Sequence, residues 1–398
     1  MNKIADKGHY CPGCGRENIS VFFESRQLPV LCNILWPDRD QALSTPRADI
    51  RLAFCHHCGL IYNTCFNPEI QQYNNCYENS LHFSPRFRQY AENLAQQLVQ
   101  SHQLYGKDIL EIGCGQGQFL DLLTRLGNNK AVGFDPSFDA DKSASPLNAN
   151  VTVIPEAYPK HNCGLSADFI CCRHVLEHIA GPLDFLRDLR DTIANRYETI
   201  VFFEVPNALY TFRDMGLWDI IYEHCSYFTA DSLNNIFLSA GFKPLRLTKQ
   251  YDGQFLTVTA RPNCSGEVFA DSPPPIQADI EDCIHKFGSA HREKINFWHD
   301  KLRQLKHKNI PTVLWGAGSK GVTFLNTMET SGRLIEYVVD INPRKQGKFI
   351  GGTGQQIVSA KFLKSYQPEV IIIMNRIYQS EIEDTLQSLG LDAEILSA

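Results

Sequence analysis

The sequence has little that would take it into a membrane or onto a nucleic acid. Its most apolar short runs, such as Val370 to Met374, are strand-sized and fall far below the roughly 20 residues a spanning helix needs. The opening MNKIADKGHYCPGCG has no apolar signal core, so a cytoplasmic location is expected. Polybasic runs are missing too. Lys and Arg number 38 against 44 Asp and Glu, a net charge of −6, so the electrostatic footprint of RNA, DNA or anionic-membrane binding is absent and a small soluble ligand is favoured. Charged residues make up only 21% against 43% hydrophobic, which leaves little scope for extensive disorder. At roughly 150 residues per domain, 398 residues predict about three compact units.

Cysteine, by contrast, is plentiful at fourteen. Without a secretory signal a disulfide framework is not expected, and closely paired thiols read as metal ligands. Cys11-Pro-Gly-Cys14 and Cys55-His-His-Cys58 are two such pairs, each followed directly by glycine. A CxxC turn points two sulfurs at one ion, and four thiolates close a tetrahedral zinc site with no open position, so a structural rather than catalytic zinc is predicted. A redox CxxC normally opens a helix after a strand, which neither copy does. His56 and His57 remain alternative ligands, though four sulfurs are the simpler set.

The middle of the chain reads as helix over Phe87 to Val99, then KDILEIGCGQGQF (107–119), apolar residues at helical spacing (Leu120, Leu123, Leu126), and KAVGFD ending at Asp135. This is strand, glycine-rich turn, helix, strand. Glycines let backbone approach a ligand, and an acid closing the second strand can grip ribose hydroxyls. The spacing differs from the GxGxxG of pyrophosphate binders and resembles motif I of the Rossmann-like S-adenosylmethionine-dependent methyltransferases, with Glu111, Gly113, Gly115 and Gly117 in the loop and Asp135 as the ribose acid. The block ADFICCRHVLEH (167–178) resembles that family's fourth strand and following turn, and adds Arg173 as an expected cofactor contact.

A sulfonium methyl is already electrophilic, so the protein must position the acceptor and, where necessary, deprotonate it. Candidate bases lie in two places. Arg173-His174-Val-Leu-Glu177-His178 puts two histidines at i,i+4, on one face if the segment is helical. Glu204-Val-Pro-Asn207 is followed by Tyr222-Glu223-His224-Cys-Ser-Tyr227-Phe228, whose first three residues cannot all enter one core. The bland reading of either cluster is a helix cap or a satisfied surface group.

The order CxxC, CxxC, Tyr77-Glu-Asn-Ser80, ExGxGxG, VLEH, EVPN, YEHxxYF resembles the three-domain C-methyltransferases that act on nucleotide-linked deoxy keto-sugars, across nearly the whole chain. The resemblance implies an α/β fold. A small zinc-binding domain (1–75) precedes a Rossmann-like class I methyltransferase domain (76–265), and a linker helix leads to a C-terminal Rossmann-like domain (266–398). It implies His224 as general base, helped by Tyr222, Glu223 and His178, with Tyr77 in the cleft, and an enolate oxygen steadied by Tyr222 and protonated His178. Two stretches differ from the family pattern, Tyr77-Glu-Asn-Ser-Leu-His and Tyr251-Asp-Gly-Gln-Phe, so the acceptor is less firmly implied than methyl transfer. O- or N-methylation of another small molecule is the alternative, and a zinc-knuckle protein docking on RNA or a partner is a third reading that the acidic charge opposes.

Ser265 to Pro275 reads as a linker, and Ile280, Cys283, Ile284 and Phe287 recur at helical spacing toward Leu302 and Leu305, predicting a long helix broken near Gly288. Then Gly316-Ala-Gly318-Ser-Lys-Gly321 is a literal GxGxxG, with Asp340 ending the next strand. It reads as an NAD site, as a holder for the nucleotide half of a substrate, or as close helix-to-strand packing. The resemblance favours the second, although the family's Pro-Gly-Thr-His-x-Pro turn is here Gly351-Gly-Thr-Gly-Gln-Gln.

Overall fold

The computed structural model describes residues 10–71, 76–142, 146–158, 166–264, 278–328 and 335–398. The expected linker at 265–275 lies outside them. Three sheets follow one another. The first is antiparallel, from β1 (Ile19–Pro29), β2 (Arg47–Cys55) and β3 (Ile61–Asn63). The middle chain contributes β4 (Asp108–Ile112), β5 (Lys130–Phe134), β6 (Val151–Ile154), β7 (Phe169–Arg173) and β8 (Ile200–Pro206), all parallel. Next, the two-residue β9 (Ser226–Tyr227) leaves that sheet to pair with β3, so the first sheet borrows its edge from the middle of the chain. The hairpin β10 (Phe242–Gln250) and β11 (Phe255–Pro262) then completes a seven-stranded central sheet ordered β10-β11-β8-β7-β4-β5-β6. The chain leaves β4 toward one side and returns through β7 to the other, so the strand order reverses between these two neighbours and opens a crevice at their carboxyl ends.

The third sheet, β12 (Thr312–Trp315), β13 (Tyr337–Val339), β14 (Gln356–Val358), β15 (Val370–Ile373) and β16 (Glu394–Ser397), is wholly parallel in the order β14-β13-β12-β15-β16. Helices cover parallel sheets on both faces, so their strands are continuously apolar rather than alternating, and β12 and β15 are buried at every residue. The order reverses again between β12 and β15, at the end carrying the GxGxxG loop. The edge hairpin of the central sheet meets the reversal point of the third: Gln254, in the β10–β11 turn, exchanges amide hydrogen bonds with Asn375 just past β15 at 2.7 and 3.1 Å.

Helix Pro85–His102 contains the expected Phe87 to Val99 stretch and extends it by two residues at its start and three at its end. Ser84 caps it by accepting from the Phe87 N–H, Pro85 fills the first turn where no N–H is needed, and Phe87, Ala91, Leu94, Ala95, Leu98 and Val99 form its buried stripe. Helix Ala278–His307 corrects one expectation, because it runs through Gly288 without a break. One glycine costs a helix only about 1 kcal/mol. The stripe of Ile280, Ile284, Phe287, Trp298, Leu302 and Leu305 is buried along its length, and each such side chain contributes about 1.5–3 kcal/mol. The stripe therefore outweighs the local weakness. Phe287 lies edge-on to Phe23 of β1 and Phe212 of the middle segment, at 5.3 and 5.1 Å, in one core that joins all three parts of the chain. No helix among the described residues is long and apolar enough to cross a membrane.

Candidate active site

The loop after β4 lies at the central crevice. Gly113, Gly115 and Gly117 all adopt left-handed φ, at 71°, 56° and 77°. They are not equivalent. A Cβ on Gly113 would stand 2.1 Å from Val175 Cγ2 and one on Gly117 3.0 Å from Leu147 Cδ1, whereas one on Gly115 would meet nothing within 4 Å. Gly115 is thus the open point of the cradle. Beside it, Asp135 accepts from the Gly115 N–H at 2.7 Å and from Ser137 N and Oγ at 2.8 and 2.6 Å, which aims the carboxylate along the rim and leaves it acceptor capacity. Glu111 is buried beneath the loop. Its Oε2 has no hydrogen-bond partner among the described residues, and burial raises its pKa to about 8 even though the Arg173 charge opposes the shift. A buried carboxyl with an unmet oxygen beside an open glycine would regain its negative charge beside a cationic ligand. Glu111, Gly115 and Asp135 are the residues that would hold S-adenosylmethionine here.

Arg173 ends β7, but it is not open to the crevice. Its Nε and Nη2 both donate to Glu204 Oε1 on β8, at 3.1 and 2.9 Å, and the guanidinium lies 3.9 Å above the Phe119 ring. Tyr90 donates to the other oxygen of Glu204, and His174 Nε2 stands 3.0 Å from Oε1. Burial would raise the Glu204 pKa, yet Arg173 and His174 outweigh it and hold it down at about 2. Burial likewise pushes His174 down, and hydrogen bonds to Glu177 and Glu204 more than reverse that, to about 9. His174 has φ 55° at the strand end, and residues 176–178 form only a single 3₁₀ turn. The expected shared helical face for His174 and His178 is therefore not formed. His174 turns into the charge network under the cofactor loop and His178 toward the acceptor side.

On that side the structure brings four of the expected residues together. Tyr77 donates to Glu223 Oε1 at 2.5 Å, and the Cys32 N–H donates to Oε2 at 2.8 Å. His178 Nδ1 lies 2.9 Å from the Glu223 carbonyl, and the rings of His178 and His224 are 5.1 Å apart. His224 Nδ1 lies 3.2 Å from the Asp219 carbonyl. A carbonyl only accepts, so each Nδ1 carries the proton and each neutral ring presents Nε2 as a lone pair. Burial pushes both pKa values down, His178 to about 4 and His224 to about 3, so neither is protonated near neutrality. Glu223, fully enclosed, is shifted upward by burial, which Tyr77 and Cys32 partly offset.

Tyr222 corrects the sequence reading. Its side chain is fully buried, stacks near Phe66 at 5.4 Å, and accepts from the Asn67 N–H at 2.7 Å. It fastens the segment to the N-terminal domain and does not face His224. Protonated His178 is corrected by burial, which lowers its pKa to about 4 and keeps the ring neutral. Residues that sequence reading missed complete the cleft. Cys32 and Asn33 come from the first domain, Asp219 from a turn before the YEH triplet, and Lys320 from inside the GAGSKG loop. None falls on a motif position except Lys320, which the GxGxxG spacing treats as filler.

Two further sites were expected. Cys11, Cys14, Cys55 and Cys58 do converge, with sulfur separations of 3.5 Å (Cys11–Cys58) and 3.6 Å (Cys14–Cys55) and all four within 4.8 Å. A tetrahedron of roughly 2.3 Å bonds has edges of about 3.8 Å, so the set fits zinc closely. His56 is turned to Ser20 Oγ and Glu281 Oε1, at 2.9 and 3.3 Å, and tethers the knuckle to the long helix instead of joining the sulfurs. The GxGxxG loop is closed by the protein itself. Asp340 accepts from Ala317 N and Asn342 N, both at 2.8 Å, and Lys345 Nζ reaches the Ala317 carbonyl at 3.1 Å and Asn33 Oδ1 at 3.3 Å. A Cβ on Gly321 would lie 2.0 Å from the Gly316 carbonyl, and Trp36 of the N-terminal domain covers Gly351. Those contacts favour the packing role over an NAD site.

Comparison with known proteins agrees with this architecture. Residues 83–247 match the family described as methyltransferase domain and residues 281–392 the family described as C-methyltransferase C-terminal domain. The chain is similar to the C-methyltransferase NovU of Streptomyces niveus, 24% identical over 294 residues that make up 70% of this chain and 69% of that protein. It is also similar to the ubiquinone biosynthesis O-methyltransferase of Rhodopseudomonas palustris (strain HaA2), 33% identical over 91 residues, which are 21% of this chain and 34% of that protein. Among solved structures it is similar to the 1,6-didemethyltoxoflavin-N1-methyltransferase of Burkholderia thailandensis with bound S-adenosylhomocysteine, at 16% identity and a TM-score of 0.35, covering 44% of this chain and 79% of that one. The chain is an S-adenosylmethionine-dependent methyltransferase whose methyltransferase domain is followed by a C-methyltransferase C-terminal domain.

Proposed function

We propose that this enzyme methylates a carbon beside a ketone, on a nucleotide-linked deoxy keto-sugar, with His224 as the general base. The observation that carries the reading is the tautomer of His224: Nδ1 donates to the Asp219 carbonyl, so Nε2 is the proton acceptor, and burial keeps the ring neutral. When bound, S-adenosylmethionine supplies an electrophilic methyl. His224 Nε2 takes the α-proton, and the electron pair it leaves moves onto the ketone oxygen. Glu223, gripped by Tyr77 and Cys32, holds the strand of chain that presents His178 and His224. Cys11, Cys14, Cys55 and Cys58 hold a structural zinc that fixes the N-terminal domain from which Cys32 and Asn33 reach the cleft. Domain limits near 75 and 265 and a cytoplasmic location complete the reading.

The test is a turnover assay with methyl-labelled S-adenosylmethionine and a nucleotide-linked deoxy keto-sugar, locating the methyl by carbon–proton correlation NMR. Label on a carbon beside the ketone is the expected result, with His224→Ala slowing turnover about 10²-fold or more while binding cofactor normally. Label on oxygen or nitrogen would replace this reading by O- or N-methylation.

A further inference from the structure

Proton removal by His224 leaves a negative charge on the acceptor oxygen, and the two groups first suspected of stabilising it are otherwise engaged. Tyr222 is buried against Asn67, and the one N–H of neutral His178, at Nδ1, donates to the Glu223 carbonyl. The C-terminal domain brings a cation to the place instead. Lys320, the second residue of helix Ser319–Met328, extends from the GxGxxG loop across the domain junction. Its Nζ stands 3.1 Å from Asp219 Oδ2, 3.3 Å from Gln254 Oε1 and 5.0 Å from the centre of the Tyr210 ring, all three on the methyltransferase domain. Asp219 thereby serves both partners: its backbone carbonyl orients the His224 base and its carboxylate orients the Lys320 ammonium.

We propose that Lys320 is a catalytic residue of this enzyme, supplied by the C-terminal domain to stabilise the oxyanion formed when His224 removes the α-proton. The inference rests on the carbon-methylation reading above. The chemistry balances without another reagent. The Cα–H bond breaks, its proton goes to His224 Nε2, and its electron pair delocalises onto the ketone oxygen beside Lys320. The same pair would then form the new carbon–carbon bond to the methyl of S-adenosylmethionine while the methyl–sulfur bond breaks, its electron pair staying on the sulfur of departing S-adenosylhomocysteine, and imidazolium returns its proton to solvent. A fixed ammonium in a water-poor junction is worth far more to a developing oxyanion than one in bulk water, because it needs no reorganisation as the charge appears. The Lys320 side chain is about one-fifth exposed, enough to meet a ligand from one side. Burial disfavours its charge, and Asp219 more than restores it, keeping the ammonium protonated. The GxGxxG loop thus has a use that does not need a dinucleotide: its close turn, pinned by Asp340 and Lys345, holds the start of this helix at a fixed distance from the base.

The test separates proton abstraction from methyl transfer. The full-length enzyme is incubated in deuterium oxide with a nucleotide-linked deoxy keto-sugar and S-adenosylhomocysteine, and deuterium wash-in at the α-carbon is followed by NMR. Wild type should exchange. Lys320→Met should slow both exchange and carbon methylation about 10²-fold or more, with S-adenosylhomocysteine affinity unchanged. The double variant Lys320→Met/Asp219→Asn, which leaves no uncompensated buried charge, should melt like wild type and be equally slow, and this excludes misfolding as the cause. Exchange and methylation at the wild-type rate in a folded Lys320→Met enzyme would overturn the assignment. Wild type that neither exchanges nor methylates carbon, but methylates a heteroatom, would instead remove the reading on which it rests.

Discussion

Replacing the three loop glycines by alanine one at a time separates their structural and binding roles. At Gly113 alanine must adopt φ 71° and place its methyl 2.1 Å from Val175. The left-handed backbone costs about 1–2 kcal/mol, and forcing a methyl into a packed side chain adds about 1–3 kcal/mol, so Gly113→Ala should destabilise the enzyme by roughly 2–5 kcal/mol. At Gly115 the protein itself offers no obstacle within 4 Å, and only the backbone term applies. If the cofactor lies against this open point, however, the new methyl occupies its volume, and a tenfold loss of affinity, about 1.4 kcal/mol, is the least expected. Ligand-induced stabilisation converts this into a melting experiment. Saturation at 100 times Kd adds about 2.7 kcal/mol, and a tenfold weaker site at the same concentration adds only about 1.4 kcal/mol. Gly115→Ala should therefore lose only the backbone cost of about 1–2 kcal/mol without ligand and gain about half as much from S-adenosylhomocysteine, with calorimetry giving the Kd directly. Gly113→Ala should show the reverse pattern, a large loss of stability first. A Gly115→Ala enzyme that binds S-adenosylhomocysteine as tightly as wild type would refute the placement of the cofactor in this loop.

Three further outcomes follow from the buried charges and thiols. Glu204→Ala leaves Arg173 buried without its carboxylate partner and should cost about 3–5 kcal/mol, read as a fall in the urea midpoint. An unchanged midpoint would show the network to be dispensable. His82, His178 and His224 have folded pKa values of about 4, 4 and 3, chiefly through burial, against about 6.5 unfolded. Below pH 6.5 the unfolded chain binds protons that the folded one does not, so their contribution is intact above pH 6.5 and is lost as pH falls toward 4 and 3. His174, raised to about 9, has the opposite sign and loses its contribution as pH rises through 9. Urea midpoints between pH 4 and 10 should fall on both flanks, and replacing His224 by Gln should flatten the acid one. Metal analysis should find one zinc per chain. Cys58→Ser should lose the zinc and much of the activity together, since β9 and Glu223 both lean on the N-terminal domain; a zinc-free protein with wild-type melting would contradict that.

What could be read from the sequence was whatever the backbone itself enforces. The loop of Glu111 to Gly117 was legible because left-handed turns demand glycine and because a strand, a turn and an acid at fixed spacing describe one local geometry. The four cysteines were legible for the same reason, as two local turns. Side-chain direction within the irregular run Tyr222-Glu223-His224 was not, for no period of two or 3.6 assigns faces there, and the structure sends Tyr222 into the N-terminal interface and His224 to the Asp219 carbonyl beside His178. The continuity of helix Ala278–His307 was misread because a local breaker was weighed without the apolar stripe on either side of it. Contacts such as Cys32 to Glu223, 191 residues apart, have no local signature at all.

That last class of contact explains why the proposed acceptor site would be assembled at a three-way junction. The cofactor loop is complete within the central domain, since Glu111 lies on β4, Gly115 in the loop after it and Asp135 directly after β5, the strand paired with β4. The base is not. His224 depends on Asp219, Asp219 pairs with Lys320 of the C-terminal domain, and Glu223 is gripped by Tyr77 and Cys32 at the border with the N-terminal one. An enolate is useful only where water cannot quench it before transfer, and a crevice open along the edge of a single sheet is poorly shielded. In the proposed mechanism, closing that crevice with two further domains would remove water and place a fixed cation and hydrogen-bond donors around the acceptor. Any substitution that loosens the Lys320–Asp219 or Cys32–Glu223 contact should therefore depress turnover while sparing cofactor binding, and the separation of those two effects is the signature of chemistry built across domains on a cofactor site held by one.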